Sequence, residues 1–157
     1  NPSSTVILGQ FGDGDEATLI TSNQQITTYF RRSFVVPEAA VVRSLTARLL
    51  RDDGAVVYLN GAEVWRNNMP LGVITNSTLA SGSVPAGDET TNFYSQAISP
   101  IFLVSGTNLL AVEVHQSSAS SSDLSFDFEL KSTLTALPVL LPPDVLFTSP
   151  AEGARVQ

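Results

Sequence analysis

The sequence predicts an all-β protein, an antiparallel β-sandwich of the jelly-roll kind, and three observations predict it. Short runs rich in Val, Ile, Thr, Tyr and Phe recur along the chain, each closed by Gly, Asn, Asp, Ser or Pro. No segment holds a helical apolar period over successive turns. One β-hairpin is spelled out almost residue by residue: Ala55–Leu59 and Glu63–Arg66 flank a single Asn60-Gly61. That pair best tolerates the two positive φ angles of a type I′ turn.

Taken in order, strands are expected at Thr5–Leu8, Ala17–Ile20, Thr27–Val36, Ser44–Arg51, Ala55–Leu59, Glu63–Arg66, Phe93–Ile98, Asn108–Gln116 and Leu124–Leu130. Pro100–Val104 is the one helical turn expected, since proline is pre-set for a first helical position. With Asn60-Gly61 as the whole hairpin loop, Leu59 faces Ala62, Tyr58 faces Glu63, Val57 faces Val64 and Val56 faces Trp65. Alternation then gathers Val57, Leu59, Ala62 and Val64 on a core face. The opposite face carries Val56, Tyr58, Glu63 and Trp65.

The later strands alternate cleanly. Leu110, Val112 and Val114 oppose Ala111, Glu113 and His115, and Leu124, Phe126, Phe128 and Leu130 oppose Ser125, Asp127, Glu129 and Lys131. Phe30 and Phe34 share a face with Arg32, so a buried face would require that arginine to be paired, with Asp127 or Glu129 as partner. Between Asn67 and Asn92 runs a long polar connection, expected to be a functional loop or a wrap across one sheet.

Composition narrows the function classes. The chain has 157 residues, 43% of them hydrophobic and 15% charged, enough for one domain with a real core. The net charge of −7, with Lys131 the single lysine, argues against a nucleic-acid partner, which needs a basic stripe. The absence of cysteine excludes disulfides, thiolate metal sites and a cysteine nucleophile. Sparse charge and abundant Ser and Thr suit a secreted protein, and without disulfides a bacterial source is expected. No apolar run is long enough for a membrane span. Asn76-Ser77-Thr78 matches a glycosylation sequon, relevant in a eukaryotic secretory host.

The domain expectation is a β-sandwich module over 1–136 and a Pro-rich linker over 137–146, including Leu137-Pro138 and Pro142-Pro143. Residues 147–157 read as the start of a following Ig-like β domain. Other domains of the same polypeptide are therefore expected partners.

Several blocks together resemble a known family. They are Thr28-Tyr29-Phe30-Arg31-Arg32-Ser33-Phe34, the Arg48–Arg66 hairpin region, Asn67-Asn68-Met69-Pro70, and Asn108–Gln116 followed by Ser125-Phe126-Asp127. They resemble the galactose-binding-like jelly-roll modules appended to secreted bacterial hydrolases, metallophosphoesterases and cell-surface proteins. The Tyr58-Leu59-Asn60-Gly61 hairpin and the Asn108–His115 strand are also similar to the sugar-binding jelly roll of β-galactosidase-type enzymes. The resemblance covers about Leu8 to Leu130 and implies the fold more than the ligand. Such modules usually begin with an additional Trp-containing strand, and only Asn1–Leu8 precedes the Gly9–Asp15 region here. The expectation is a strand removed by cleavage or supplied by a neighbouring chain.

Four groups of residues carry candidate chemistry. Asp13, Asp15 and Glu16 put three carboxylates in one turn, an oxygen-rich setting for calcium, with Asp127 as a further ligand; the resemblance implies a structural Ca²⁺ near this end. The bland alternative is a solvated acidic turn. Trp65 with Tyr58 offers flat aromatic surface, and Asp53, Arg66, Asn67, Asn68, His115 and Asp123 offer hydrogen bonds, a set suited to a sugar. The alternative is that Trp65 packs beneath Met69-Pro70-Leu71. His115, the sole histidine, is expected to bond a loop carbonyl or Asp123 and order the Ser117–Ser122 loop; no nucleophile elbow accompanies it.

The expected function is a non-catalytic, extracellular carbohydrate-binding accessory module of a larger secreted bacterial protein, with a polysaccharide or glycan as partner. The alternative is a structural or adhesive module or subunit of a cell-surface assembly or filament, its sheet edge completed by a neighbouring protomer.

Overall fold

The computed structural model describes residues 5–11, 25–85, 87–121 and 123–135. Eight strands form it: β1 (Thr5–Phe11), β2 (Thr27–Val36), β3 (Val42–Arg51), β4 (Gly54–Leu59), β5 (Ala62–Asn67), β6 (Tyr94–Ile98), β7 (Gly106–His115) and β8 (Leu124–Leu134). A one-turn helix, α1 (Asp88–Thr91), and two 3₁₀ turns at Ala39–Val41 and Pro100–Phe102 complete it. No helix among the described residues is long and apolar enough to cross a membrane. The expected strand at Ala17–Ile20 and the segments 137–146 and 147–157 lie outside the described residues.

The strands make two four-stranded antiparallel sheets, ordered β1-β8-β3-β6 and β2-β7-β4-β5. The first strand pairs with the last, the second with the seventh, the third with the sixth and the fourth with the fifth. These nested pairs fall alternately into opposite sheets, which is the jelly-roll winding of one long hairpin into a sandwich. β1 takes the edge beside β8, with Thr5 opposite Leu130 and Phe11 opposite Leu124.

Alternation decides what lies between the sheets. Leu45, Ala47 and Leu49 of β3 and Leu124, Phe126, Phe128 and Leu130 of β8 meet Val57 and Leu59 of β4 and Leu110, Val112 and Val114 of β7. Phe30 of β2 stacks on Phe126 of the opposite sheet, ring centroids 4.3 Å apart and planes 25° from parallel. Phe126 and Phe128 are fully buried, each contributing roughly 2–3 kcal/mol of burial free energy. The expected pairing of Arg32 with Asp127 or Glu129 is not what Glu129 does. Arg32 is exposed, while Glu129 bonds Arg48 and Lys131, both at 2.9 Å.

The β4–β5 hairpin turns at Asn60 (φ 53°) and Gly61 (φ 83°), the two left-handed residues a type I′ turn requires. Asn60 also clamps its end of the sandwich. Its side-chain amide donates to Phe102 O and Asn108 Oδ1, each at 2.8 Å, and its Oδ1 accepts the Leu109 amide at 2.8 Å.

One register expectation is overturned. Leu59 faces Ala62 and Tyr58 faces Glu63, but then the ladder shifts, and Val57 faces Trp65, Val56 faces Arg66 and Ala55 faces Asn67. Val64 is the extra residue of a β-bulge, which seats two residues of β5 against one of β4. Val64 and Trp65 therefore both pack on the core cluster, and Trp65 leaves the face that Tyr58 occupies.

Candidate functional site

The sequence-predicted residues separate into two groups. One lies at the end of the sandwich where Asp52 and Asp53 join β3 to β4. Asp53 is 3% exposed; its Oδ1 accepts the Val84 amide at 2.8 Å and its Oδ2 the Ser117 amide at 2.6 Å. Burial alone pushes this carboxyl up. Side-chain interactions with Ser117 and Asp52 and the two donating amides outweigh burial and hold it below the ordinary aspartate value. Asn68, with a φ of 52°, donates through its amide to Asp53 O at 2.9 Å and Gly82 O at 2.6 Å. Gly54 leaves room for this approach, because a Cβ there would lie 2.6 Å from Met69 Sδ and 2.7 Å from Asn68 O.

His115 is completely buried in the same region. Its Nδ1 faces Thr78 O at 2.8 Å and Thr27 Oγ1 at 3.0 Å, and its Nε2 faces Glu113 Oε2 at 3.2 Å. Thr27 Oγ1 in turn donates to Asn76 O at 3.0 Å. The imidazole does bond a loop carbonyl, but it is that of Thr78, so it orders the 68–84 connection rather than Ser117–Ser122. Asp123 does not meet it; the Asp123 carbonyl accepts from Gln116 Nε2 at 2.6 Å. Asn67 is engaged by Arg51, whose Nε donates to Asn67 Oδ1 at 2.7 Å while its guanidinium lies 4.5 Å from the centre of the Tyr94 ring. Asp53, Asn67, Asn68 and His115 thus spend their polar atoms inside the molecule, where they fasten the long connection to the strands.

The second group stands on the outer face of the β2-β7-β4-β5 sheet. Tyr29, Glu113, Val56 and Arg66 form one cross-strand row; Arg31, Ala111, Tyr58 and Glu63 form the next. Tyr29 is 61% exposed and Arg31 is exposed, whereas Tyr58 and Ala111 are half-buried. Arg66 grips Glu63 with two parallel bonds of 2.7 Å, and its remaining arm donates to Pro70 O at 2.7 Å and Gly72 O at 3.0 Å. Such a bidentate pair is a rigid one. The pairing holds Glu63 below the ordinary glutamate range. Burial, followed by the neighbouring Glu113 carboxylate, pushes the Tyr58 phenol well above its ordinary value, so it keeps its proton.

Of the residues on this face the sequence singled out Tyr58 and Arg66, while Tyr29, Arg31 and Glu113 were not among its candidates. The signal was present in the alternation that sets Glu113 opposite the core residues of β7. What was lacking was the strand order that puts β2 beside β7 and β7 beside β4.

Of the predicted calcium ligands, Asp13, Asp15 and Glu16 lie outside the described residues. Asp127 sits half-buried between Leu8 of β1 and Leu50 of β3, and its Oδ1 is buried without a hydrogen-bond partner among the described residues. Burial first, and Glu129 after it, raise its pKa despite the Phe128 amide and Arg48. An orphaned carboxylate oxygen fits a cation ligand. No group of three or more metal-ligating side chains gathers among the described residues.

Fold and face together define an all-β sandwich module with an ordered aromatic and polar sheet surface. No protein-family model matches the chain, and no curated protein does. Among solved structures it is similar to the crystal structure of β-D-mannosidase from Dictyoglomus thermophilum, at 16% identity and a TM-score of 0.38. The match covers 60% of this chain and only 9% of the mannosidase chain.

Proposed function

We propose that the chain is a non-catalytic, extracellular carbohydrate-binding module of a larger secreted bacterial protein, and that the ligand lies on the outer face of the β2-β7-β4-β5 sheet. One observation carries this reading. Ala111 forms a small floor between Arg31 and Tyr58 in its own row, with Tyr29 and Glu113 in the row beside it. Tyrosine rings give CH groups a stacking surface, Arg31 supplies donors and Glu113 supplies an acceptor, which is the complement a sugar presents. The Glu63–Arg66 pair is already fixed, so little ordering accompanies binding on that side. The face is partly roofed, with Val56 and His115 fully buried and Glu113 half-buried. A ligand therefore meets a shallow strip of side chains, and the expected dissociation constant is on the order of 10 µM to 1 mM.

The partners of His115 favour the non-catalytic side of this reading. They are a threonine hydroxyl, a backbone carbonyl and a glutamate, with no serine in hydrogen-bond reach among the described residues. A structural calcium held by Asp13, Asp15, Glu16 and Asp127 belongs to the same proposal, on the strength of the orphaned Asp127 oxygen.

A glycan array of the purified chain, run in calcium and in EDTA, tests the reading. Retained glycans that are lost in Tyr29→Ala, a change at an exposed position, support it. A blank array with well-folded protein overturns it. EDTA sensitivity of a retained signal supports the calcium site, and indifference removes it.

A further inference from the structure

Tyr29 and Tyr58 stand on the same outer face but on strands separated by β7. Tyr29 shares its row with Glu113, and Tyr58 shares the adjacent row with Ala111 and Arg31. Neighbouring strands lie ~4.8 Å apart and same-face residues recur every ~6.8 Å along a strand, so the two tyrosines rise from Cα atoms about 12 Å apart. No single pyranose ring spans that distance. The floor between them is low at Ala111, and the Glu113 carboxylate stands beside it with its Oε2 3.2 Å from His115 Nε2.

The surroundings give this surface a direction and a charge preference. On the far side, Arg66 reaches the carbonyls of Pro70 and Gly72 and fixes the start of the 68–84 connection beside β5. On the near side, β2 is the outermost strand of this sheet among the described residues, and Tyr29 and Arg31 are open to solvent. Glu63 and Arg66 neutralise each other, which leaves Arg31 as the exposed donor and Glu113 as the acceptor. The chain as a whole carries −7, which repels polyanions.

We infer that the outer sheet face takes a short neutral oligosaccharide laid across the strands from β2 to β4, one ring on Tyr29 and another on Tyr58, rather than a single sugar or an acidic polymer. This rests on the carbohydrate reading above. Its test is calorimetric titration with ladders of β-1,4-linked gluco-, manno- and galacto-oligosaccharides from one to six units. Oligogalacturonides are the acidic control, and any glycan the array retains is added as its own ladder.

The expected result is at least a tenfold rise in affinity, about 1.4 kcal/mol, from the monosaccharide to the longer members of the bound ladder. Tyr29→Ala flattens that rise while leaving the melting temperature in place, and oligogalacturonides bind more weakly at every length. A monosaccharide that binds as tightly as its hexamer overturns the inference and leaves the carbohydrate reading standing. An equal or stronger response to oligogalacturonides overturns the neutral-ligand part. Absence of binding on every ladder, with a blank array, removes the carbohydrate reading and the inference with it.

Discussion

The Ser117 amide donates to Asp53 Oδ2 at 2.6 Å, joining the chain just after β7 to the turn between β3 and β4. Through its other oxygen the same carboxylate holds the Val84 amide, so a single buried aspartate fastens two connections to the end of the sandwich.

Removing that carboxylate strands two part-buried amides. Asp53→Ala is expected to lower stability by about 2–4 kcal/mol, the cost of losing charge-assisted bonds at a buried site. The pH dependence follows from the sign of the shift. Asp53 sits below its ordinary value in the fold, so its contribution is present above the unfolded-state pKa and is lost as pH falls through the lower folded-state pKa. Urea unfolding should show the gap between wild type and Asp53→Ala wide at neutral pH and closing in strong acid. A gap that stays constant into acid would contradict the assignment.

Gly54 is required by close approach. A Cβ there meets Met69 Sδ at 2.6 Å, Asn68 O at 2.7 Å and Ala80 Cβ at 2.9 Å, and one of the three is backbone. Gly54→Ala is expected to cost about 1–3 kcal/mol and to make the 68–84 connection more sensitive to limited proteolysis. Unchanged cleavage there would show that the connection is not held by this contact.

Trp65 packs partly on the core cluster. It faces Val57 and is half-buried. Trp65→Ala is expected to cost roughly half of the ~3–5 kcal/mol of a fully buried aromatic deletion, with the denaturant slope unchanged. Any glycan bound by the wild type should still bind the folded variant. Full stability together with lost binding would restore Trp65 to the ligand surface.

Asp127 distinguishes a strained carboxyl from a metal ligand. Burial raises its pKa, so the folded state favours its protonated form and loses stability as pH rises through the folded-state value. In EDTA at neutral pH, Asp127→Asn is expected to melt above wild type. Added calcium should then raise the wild-type melting temperature more than that of the variant. Equal responses to calcium would remove Asp127 from any metal site.

Most of the sandwich was legible in the sequence because its strands alternate and its turns are marked. Asn60-Gly61 specifies a type I′ hairpin by itself, and the β7 and β8 faces follow from period-2 patterning. The Val64 bulge was not legible, since an inserted residue in a run of Glu63-Val64-Trp65 leaves no trace in the hydrophobic pattern when both Val and Trp suit a core. That one slip moved Trp65 to the core side, and with it the centre of the predicted ligand surface. The fates of Asp53, Asn68 and His115 were hidden for another reason. Buried anchors and ligand-binding groups use the same residue types, and only the position of the 68–84 connection separates them. The Tyr29–Arg31–Glu113 surface depends on β2 lying beside β7, a pairing of strands more than seventy positions apart in the chain.

The most direct test is a titration of isotopically labelled protein with a glycan retained on the array, followed by amide and side-chain chemical shifts. Perturbations are expected to centre on Tyr29, Arg31, Tyr58, Ala111 and Glu113. Perturbations centred instead on Asn67, Asn68 and Asp123, with the sheet face silent, would contradict that placement.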